Sequence, residues 1–258
     1  RWKNLRKLSY ADYMEKDDFL SAVKTNKIEG VKSIIHMGAC SSTTEKNASF
    51  LAKNNFEYTK ELAIWSLMQG ARFIYASSAA TYGDGEMGFN DDETQLEKLI
   101  PLNMYGYSKQ MFDLWAKNKG ILHQIVGLKF FNVFGPNEYH KASMRSFILK
   151  SYEQILQTGK VKLFKSHRPG YQDGEQLRDF VYIKDAVDMT LFFLENKNIG
   201  GIFNIGTGKA RNWKDLVNAT FTAMDKEPNI EFIPMPESIR NQYQYYTQAD
   251  ISKIKKAG

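Results

Sequence analysis

The sequence predicts an α/β protein built on a doubly wound parallel β-sheet. Two observations lead to this class. Short apolar runs of strand length recur along the 258 residues, and stretches with apolar residues at helical spacing lie between them. Strands that alternate with helices favour a parallel sheet with helices on both faces. Ligands of such a sheet bind beyond the carboxyl ends of its strands.

The elements follow one another in a regular order. Strands are predicted in SIIHMGA (33–39), ARFIYASSA (71–79), HQIVGLKFF (123–131) and GIFNIG (201–206), with a short strand around Val181. Helices are predicted at 47–69, 107–119, 184–196 and 212–224. In the first helix, apolar residues recur at helical spacing and Gly70 follows as a C-cap. The polar tract at 165–176 predicts a surface loop.

Composition excludes several kinds of protein. Cys40 is the single cysteine, so no disulfide can form within the chain, and the four histidines show no metal-ligand spacing. We therefore expect no metal. No apolar run is long enough to cross a bilayer and no signal-peptide pattern is visible, so we expect no membrane association and a cytoplasmic location.

The net charge of +6 has more than one interpretation. It suits nucleic acid, an anionic surface or a phosphorylated small molecule. The basic residues are mostly dispersed and no nucleic-acid recognition motif is present. We therefore expect no nucleic-acid partner.

Small and hydroxyl residues follow two of the predicted strands, in MGACSS (37–42) and YASSAATYG (75–83). Small residues let a flat ligand lie against the backbone, and hydroxyl groups can bond to phosphate, ribose or substrate. The alternative interpretation is that these residues only form a tight turn between a strand and a helix. The segment from Gly83 to Gly88 matches G-x-G-x-x-G, but a polar acidic stretch follows it rather than a helix, so we reject it as a phosphate-binding loop.

One tyrosine and one lysine have a spacing that suits acid–base chemistry. Tyr105-Gly-Tyr-Ser-Lys109 is the only Tyr-x-x-x-Lys in the sequence. Residues four apart lie on one face of a helix, so the ammonium can sit close to the phenol and lower its pKa. One such pair is expected by accident in a chain with fourteen tyrosines. Because the pair follows Ser78 in the chain, the hydroxyl of Ser78 can complete a Ser, Tyr and Lys set.

With these residues the sequence resembles the extended short-chain dehydrogenase/reductases, which carry a Ser/Thr and Tyr-x-x-x-Lys set. Ser78, Tyr105 and Lys109 match that set. The resemblance continues through FFNVFGP (130–136), RDFVYIKD (178–185) and FNIGTG (203–208). It implies a Rossmann-like doubly wound sheet with a smaller C-terminal α/β substrate lobe, and a bound NADP with NAD as the alternative. It also implies a first strand, glycine-rich turn and helix before Arg1.

The same resemblance divides the chain into two lobes. Residues 1–132, completed by about 179–208, would form the dinucleotide-binding domain. Residues 133–178 and 209–258 would form the substrate-binding lobe.

Within this superfamily the sequence is most similar to the ADP-heptose 6-epimerases. The similarity rests on GACSSTTE (38–45), the pair Asn54-Asn55, HKASM (140–144) and YTQAD (246–250). Such an epimerase must take hydride from one face of C6 and return it to the other, so a second proton-transfer group opposite Tyr105 is useful. In the family this group is a lysine, matched by Lys141. A solvated surface lysine is the other interpretation.

The resemblance assigns further residues to ligands. The catalytic set would be Tyr105, Lys141, Lys109 and Ser78. Cofactor contacts would come from Arg1, Lys16, Met37, Gly38, Ala39, Cys40, Ser41, Asn54, Tyr105, Lys109, Val133 and Lys141. Substrate contacts would come from Ser78, Asn132, Ser143, Lys150, Phe164, Lys165, Ser166, His167, Arg178 and Tyr243. Lys150 replaces a histidine of the family, and the loop at 165–176 is longer than in better-known relatives.

The implied partners are an ADP-heptose nucleotide sugar and further copies of the chain, with a pentamer suggested. Two alternatives stay open. Another nucleotide-sugar enzyme, such as a 4-epimerase, could use the same scaffold, although a 4,6-dehydratase is disfavoured because Ala79-Ala80 stands where dehydratases carry an Asp-Glu pair. A catalytically silent dinucleotide-binding regulator is the second alternative, and such proteins often lose the tyrosine or the lysine.

Overall fold

The computed structural model describes residues 2–258, so the cofactor contact expected of Arg1 lies outside the described residues. The strands are β1 (Ser33–His36), β2 (Arg72–Ser78), β3 (Val126–Phe130), β4 (Asn132–Phe134), β5 (Val161–Phe164), β6 (Leu177–Tyr182), β7 (Gly201–Ile205), β8 (Ala210–Asn212) and β9 (Ile230–Ile233). The α-helices are α1 (Trp2–Leu5), α2 (Lys16–Lys24), α3 (Ala48–Leu51), α4 (Tyr58–Met68), α5 (Met104–Asn118), α6 (Phe147–Thr158), α7 (Ile183–Glu195), α8 (Trp213–Ala223), α9 (Glu237–Arg240) and α10 (Ser252–Ala257).

Four parallel strands form the main sheet in the order β1-β2-β3-β7. Side chains alternate between its faces along β2, as a strand requires. Phe73 packs with Phe112 of α5 in one apolar cluster, whereas Ile74 packs with Phe193 of α7 in another. Helices therefore cover both faces, which confirms the doubly wound α/β class.

Two smaller sheets stand beside the main one. Strand β6 pairs with β4 in parallel and with β8 in antiparallel fashion, and β5 pairs with β9 in parallel. Helices α6 and α8 bury Ile155 and Phe221 against Val161 and Leu163 of β5. These elements supply one wall of the cleft described below.

The helix predicted at 47–69 is divided into three parts. Between α3 and α4, residues Ala52–Glu57 form a π-helix, whose wider turn the apolar spacing does not reveal. Asn47 caps the start, because its side chain accepts a hydrogen bond from the amide of Phe50 at 2.9 Å. The π-helix carries Asn55, which is only 1% exposed.

Asp179 of β6 connects elements that are distant in sequence. Its carboxylate accepts hydrogen bonds from the amides of Thr207, Gly208 and Ala249 at 2.8, 2.9 and 3.0 Å and from the Thr207 hydroxyl at 2.7 Å. The side chain is fully buried. It therefore fixes the loop after β7 and the segment before α10 against β6.

Candidate active site

Helix α5 begins where it can place two functional side chains beside β2. The side chain of Asn103 caps the helix by accepting from the amide of Gly106 at 2.8 Å. Glycine is needed at 106, because a Cβ there would lie 2.7 Å from the carbonyl oxygen of Ala80. This close approach brings Tyr105 and Lys109 to the carboxyl end of β2.

Ser78 ends β2 and lies next to Tyr105. Its hydroxyl accepts from the amide of Ala80 at 3.1 Å and hydrogen-bonds the phenol of Tyr105. Burial raises the pKa of Tyr105 above its usual value, and the bond from Ser78 opposes this only in part. The sequence predicted that Lys109 lowers the pKa of Tyr105. In the structure that pKa is raised instead, and the Lys109 ammonium donates to the carbonyl of Ala76 at 2.7 Å.

Lys109 and His36 form a buried pair of basic groups beneath this set. Burial lowers the pKa of Lys109 to about 8, although the carboxylate of Asp113 counteracts the shift. Burial also lowers the pKa of His36 to about 4, and the nearby Lys109 charge adds to that effect. His36 is therefore neutral near pH 7, with its Nε2 atom 3.0 Å from the Thr59 hydroxyl.

Residues 37–41 follow β1 and face the same region, and Asn55 of the π-helix fixes them. The Asn55 side chain accepts from the Cys40 amide at 2.9 Å and donates to the Cys40 carbonyl and to the Ser108 hydroxyl, both at 2.9 Å. The resemblance assigns a cofactor contact to the neighbouring Asn54, which donates to Asn55 at 2.9 Å. The Asn54-Asn55 pair was the available signal, but only burial shows which amide holds the loop.

A cleft of about 610 Å³ opens between this region and the small sheets. Ser41, Ala80 and Asn103 line its end near Tyr105. Eight of the residues predicted to bind ligands line the remainder: Asn132, Val133, Lys141, Ser143, Lys150, Phe164, Arg178 and Tyr243. The fold thus brings residues from five separate segments into one cavity.

Lys141 lies in a short 3-10 helix, Tyr139–Met144, at the rim of the cleft. The buried carboxylate of Glu138 supports this segment, because it accepts from the amides of Gly135 at 3.1 Å and Ser146 at 2.7 Å. The Lys141 ammonium lies 3.9 Å from Glu138 Oε2, and its side chain is 46% exposed. Lys141 is therefore partly solvated and also lines the cleft.

Arg178 lies at the other wall, between two aromatic rings. Its guanidinium carbon is 5.7 Å from the centre of the Trp213 ring and 5.1 Å from that of Tyr243. The group donates to the carbonyls of Leu177, at 2.8 Å, and Gln244. Burial lowers the pKa of Arg178 from its very high usual value, and the cation-facing rings hold the planar group in place.

Other predicted contacts lie outside the residues that line this cleft. Ser166 bonds within its own loop, and His167 Nδ1 lies 2.8 Å from the hydroxyl of the buried Tyr245. The amide of Lys165 donates to Ile233. Lys16 and Asn54 line a separate depression of about 300 Å³ between α2 and the π-helix.

The cleft is electropositive. Among its lining residues, Lys141, Arg145, Lys150, Lys162 and Arg178 carry positive charge, and Glu138 is the one carboxylate. Burial and the neighbouring Arg145 both lower the pKa of Lys150, which Glu138 partly offsets. Such a cavity suits an anionic ligand.

Comparison with known proteins places this site in a family. A model of the NAD dependent epimerase/dehydratase family matches residues 1–206. The ADP-L-glycero-D-manno-heptose-6-epimerase of Nitratidesulfovibrio vulgaris is 54% identical over all of this chain and 80% of its own length. The enzyme of that name from Fusobacterium nucleatum is 50% identical over all of this chain and 81% of its own.

The chain belongs to the NAD dependent epimerase/dehydratase family. A crystal structure of the Helicobacter pylori ADP-L-glycero-D-manno-heptose-6-epimerase is also similar, with a TM-score of 0.77 at 28% identity. That match covers 93% of this chain and 70% of the Helicobacter pylori chain.

The described residues fit the nicotinamide nucleotide that the family name implies. Met37 and Gly38 are exposed beyond the carboxyl end of β1. A Cβ on Gly38 would meet no more than the ring of His36, at 3.6 Å, so a flat group has room against the backbone. In residues 2–258, no group of three or more His, Cys, Asp or Glu side chains could hold a metal ion, and no helix has the length and apolar character to span a bilayer.

Proposed function

We propose that this member of the epimerase family inverts C6 of ADP-D-glycero-D-manno-heptose to give ADP-L-glycero-D-manno-heptose. Support comes from the relatives of that name, which are 50% and 54% identical over the whole chain. The observation that carries the proposal is the position of Lys141, which lines the same cleft as Ala80 and Asn103. Asn103 caps the helix that carries Tyr105, so the segment of Tyr105 adjoins this cavity, although Tyr105 itself is not among the residues that line it.

The proposed mechanism moves one proton at the C6 hydroxyl in each direction. A bound oxidised nicotinamide would supply the redox chemistry, as hydride acceptor from one face of C6 and hydride donor to the other, by way of a transient 6-keto sugar. One of Tyr105 and Lys141 removes the hydroxyl proton in the first half, and the other supplies a proton in the second. Ser78 orients the hydroxyl, and Lys109 holds the cofactor ribose.

The remaining contacts follow from the cleft. The cleft is lined by five cationic side chains and one carboxylate, which suits a pyrophosphate. The planar guanidinium of Arg178 can pair with two phosphate oxygens. Asn132 and Ser143 would contact the sugar, Val133 the nicotinamide, and Tyr243 would close the site. Residues 1–132 with about 179–208 would hold the cofactor, and 133–178 with 209–258 the substrate.

The finer assignments are NADP rather than NAD, a cytoplasmic homo-oligomer, and a place in lipopolysaccharide synthesis. They rest on the resemblance to ADP-heptose 6-epimerases. Mass spectrometry of the nucleotide released from purified enzyme distinguishes NADP from NAD. Sedimentation equilibrium measures the number of subunits.

The function is tested with Tyr105→Phe and Lys141→Met. Each variant is expected to lower the rate of C6 inversion by about 10²- to 10⁴-fold, the usual contribution of a general acid or base. Conversion is followed by NMR of the two heptose epimers. Lys160→Met is the control, because Lys160 pairs with Glu231 on the surface.

Near-native inversion by both variants would show that the assignment is wrong. A 4-epimerase would convert UDP-hexoses and would not need Lys141. A silent regulator would bind the nucleotide sugar without converting it.

A further inference from the structure

An ion pair lies beneath the catalytic set without contact with solvent. Lys129 Nζ is 2.8 Å from Asp113 Oδ2, and both side chains are 0% exposed. Neither residue is among those that line the cleft. Since removing two ions from water is costly, a well-packed apolar pair would often serve stability as well. The contacts of the pair indicate a different use.

Lys129 of β3 reaches the turn that follows β2. Its ammonium donates to the Thr81 hydroxyl at 2.5 Å, and that hydroxyl donates to the carbonyl of Ser78 at 2.8 Å. Ser78 is also the partner of Tyr105. The lysine therefore holds the backbone of the serine whose side chain bonds the catalytic phenol.

Asp113 attaches helix α5 to β2. It lies on the same helix face as Tyr105 and Lys109, because the three residues are spaced four apart. Its carboxylate accepts from the hydroxyls of Tyr75, at 2.8 Å, and Ser77, at 2.7 Å. Lys109 donates to Ala76, which lies between those two residues, so three consecutive positions of β2 hold the catalytic face of the helix.

We propose that Lys129 and Asp113 are positioning residues, which fix the Ser78–Thr81 turn and the Tyr105–Lys109 face of α5 relative to each other. This inference rests on the proposed function, in which Tyr105 transfers a proton and Lys109 holds the cofactor. Reactions of this kind depend strongly on geometry, since a misplacement of about 1 Å can cost about 10²-fold in rate. The Asp113 carboxylate also raises the pKa of Lys109 against the effect of burial.

The matched pair Thr81→Val and Thr81→Ser tests the link from Lys129 to Ser78 without changing any charge. Valine removes both hydrogen bonds and keeps the shape, whereas serine retains the hydroxyl. We expect valine to lower kcat by about tenfold, the effect of one buried hydrogen bond, with KM within about twofold of wild type. Deuterium at C6 of the substrate should then give a larger kinetic isotope effect, because a misaligned transfer step limits the rate.

A merely structural role would lower the amount of active enzyme and leave the isotope effect unchanged. That result, or an unchanged kcat in the folded Thr81→Val protein, would overturn the proposal. Thr81→Ser should behave as wild type. If the wild-type enzyme fails to invert C6, the proposed function is wrong. If the wild-type enzyme inverts C6 and the Thr81 variants have the same kcat, only the positioning role is wrong.

Variants of the pair itself give a second, independent measurement. Lys129→Met removes the cation and both of its hydrogen bonds, so it should lower kcat by about 10²-fold. In Asp113→Asn the basic limb of the kcat/KM profile, where kcat/KM falls as the pH rises, should move to lower pH, because Lys109 then keeps only the influence of burial. Thr81→Val should leave that limb in place. An unmoved limb in Asp113→Asn, or near-native kcat in folded Lys129→Met, would contradict the role.

Discussion

Lys109 is a charged residue with a single carbonyl partner and almost no contact with water. It is 5% exposed and donates to Ala76. A pKa of about 8 follows from burial, because the charged form loses more solvation than the neutral form. Its charge is thus present at neutral pH but close to being lost.

This pKa predicts the alkaline behaviour of the enzyme. Lys109 is protonated below about pH 8, so kcat/KM should fall as the pH rises through that value. Initial rates between pH 6 and about 10 measure this decrease, which is the basic limb of the kcat/KM profile. Lys109→Arg keeps its charge throughout and should abolish the limb. If the arginine variant shows the same limb, another group is responsible.

His36 predicts a loss of stability in acid. Its pKa is about 4 in the folded protein, against 6.5 for an exposed histidine, so the unfolded chain binds the proton more readily. Stability should be complete above pH 6.5 and should decrease as the pH falls toward 4, by a total of about 3 kcal/mol.

The measurement is urea unfolding of wild type and His36→Gln at neutral pH and near pH 5. The difference between the two pH values should be smaller in the glutamine variant. Equal differences would show that His36 does not contribute to acid sensitivity.

At the scale of single elements, the π-helix Ala52–Glu57 decides where Asn55 lies. Asn55 meets the backbone of Cys40 with both its amide oxygen and its amide nitrogen, and it also reaches Ser108 of α5. One side chain therefore connects three elements around the proposed cofactor site.

Replacing Asn55 should destabilise the protein much more than replacing its neighbour. Asn55→Ala leaves several buried polar groups without partners, at a cost of about 2–4 kcal/mol in the free energy of unfolding. Asn54→Ala loses a half-buried side chain with one bond to Asn55 and should cost less than about 1 kcal/mol. Urea denaturation compares the two, and equal losses would contradict the difference in burial.

Most of the long or strongly apolar elements could be predicted from sequence, although the twelve-residue helix α6 was missed. The strand prediction at 71–79 and the helix prediction at 212–224 agree with β2 and α8 within one or two residues. Strands β4, β5, β8 and β9 were missed, since each has three or four residues and carries too few positions for alternation to show. The π-helix was missed because apolar spacing averages over one wider turn.

At the scale of the whole molecule, Asp179 holds loops from different regions of the chain. It is fully buried, and all four of its bonds come from N–H or O–H donors. An asparagine at this position would turn an NH₂ group toward some of these donors. The link between β6 and the loop after β7 depends on the carboxylate.

Asp179→Asn should therefore lower the free energy of unfolding by about 3 kcal/mol, since at least two buried donors lose their acceptor. Differential scanning calorimetry or urea unfolding measures the loss. Asp188→Asn on the exposed face of α7 is the matched control and should change stability by less than about 0.5 kcal/mol. A wild-type unfolding midpoint in Asp179→Asn would contradict this role.

The candidate site was predictable in part. Tyr105, Lys109 and Ser78 follow from a spacing and a strand end, and Lys141 from a motif that only resemblance identifies. Asn55, Glu138 and the Lys129–Asp113 pair could not be predicted, because their importance comes from burial and from partners distant in sequence. His167 could not be placed from sequence either, since its partner Tyr245 lies 78 residues away.

The surplus of cations in the cleft also bears on discrimination. A field of one sign attracts every nucleotide that carries a diphosphate, whether or not a sugar is attached. Charge can therefore gather ligands but cannot tell a heptose from a hexose. That choice must fall to the uncharged lining, where Asn132 and Ser143 can bond hydroxyl groups and an unmatched sugar would leave polar groups unpaired.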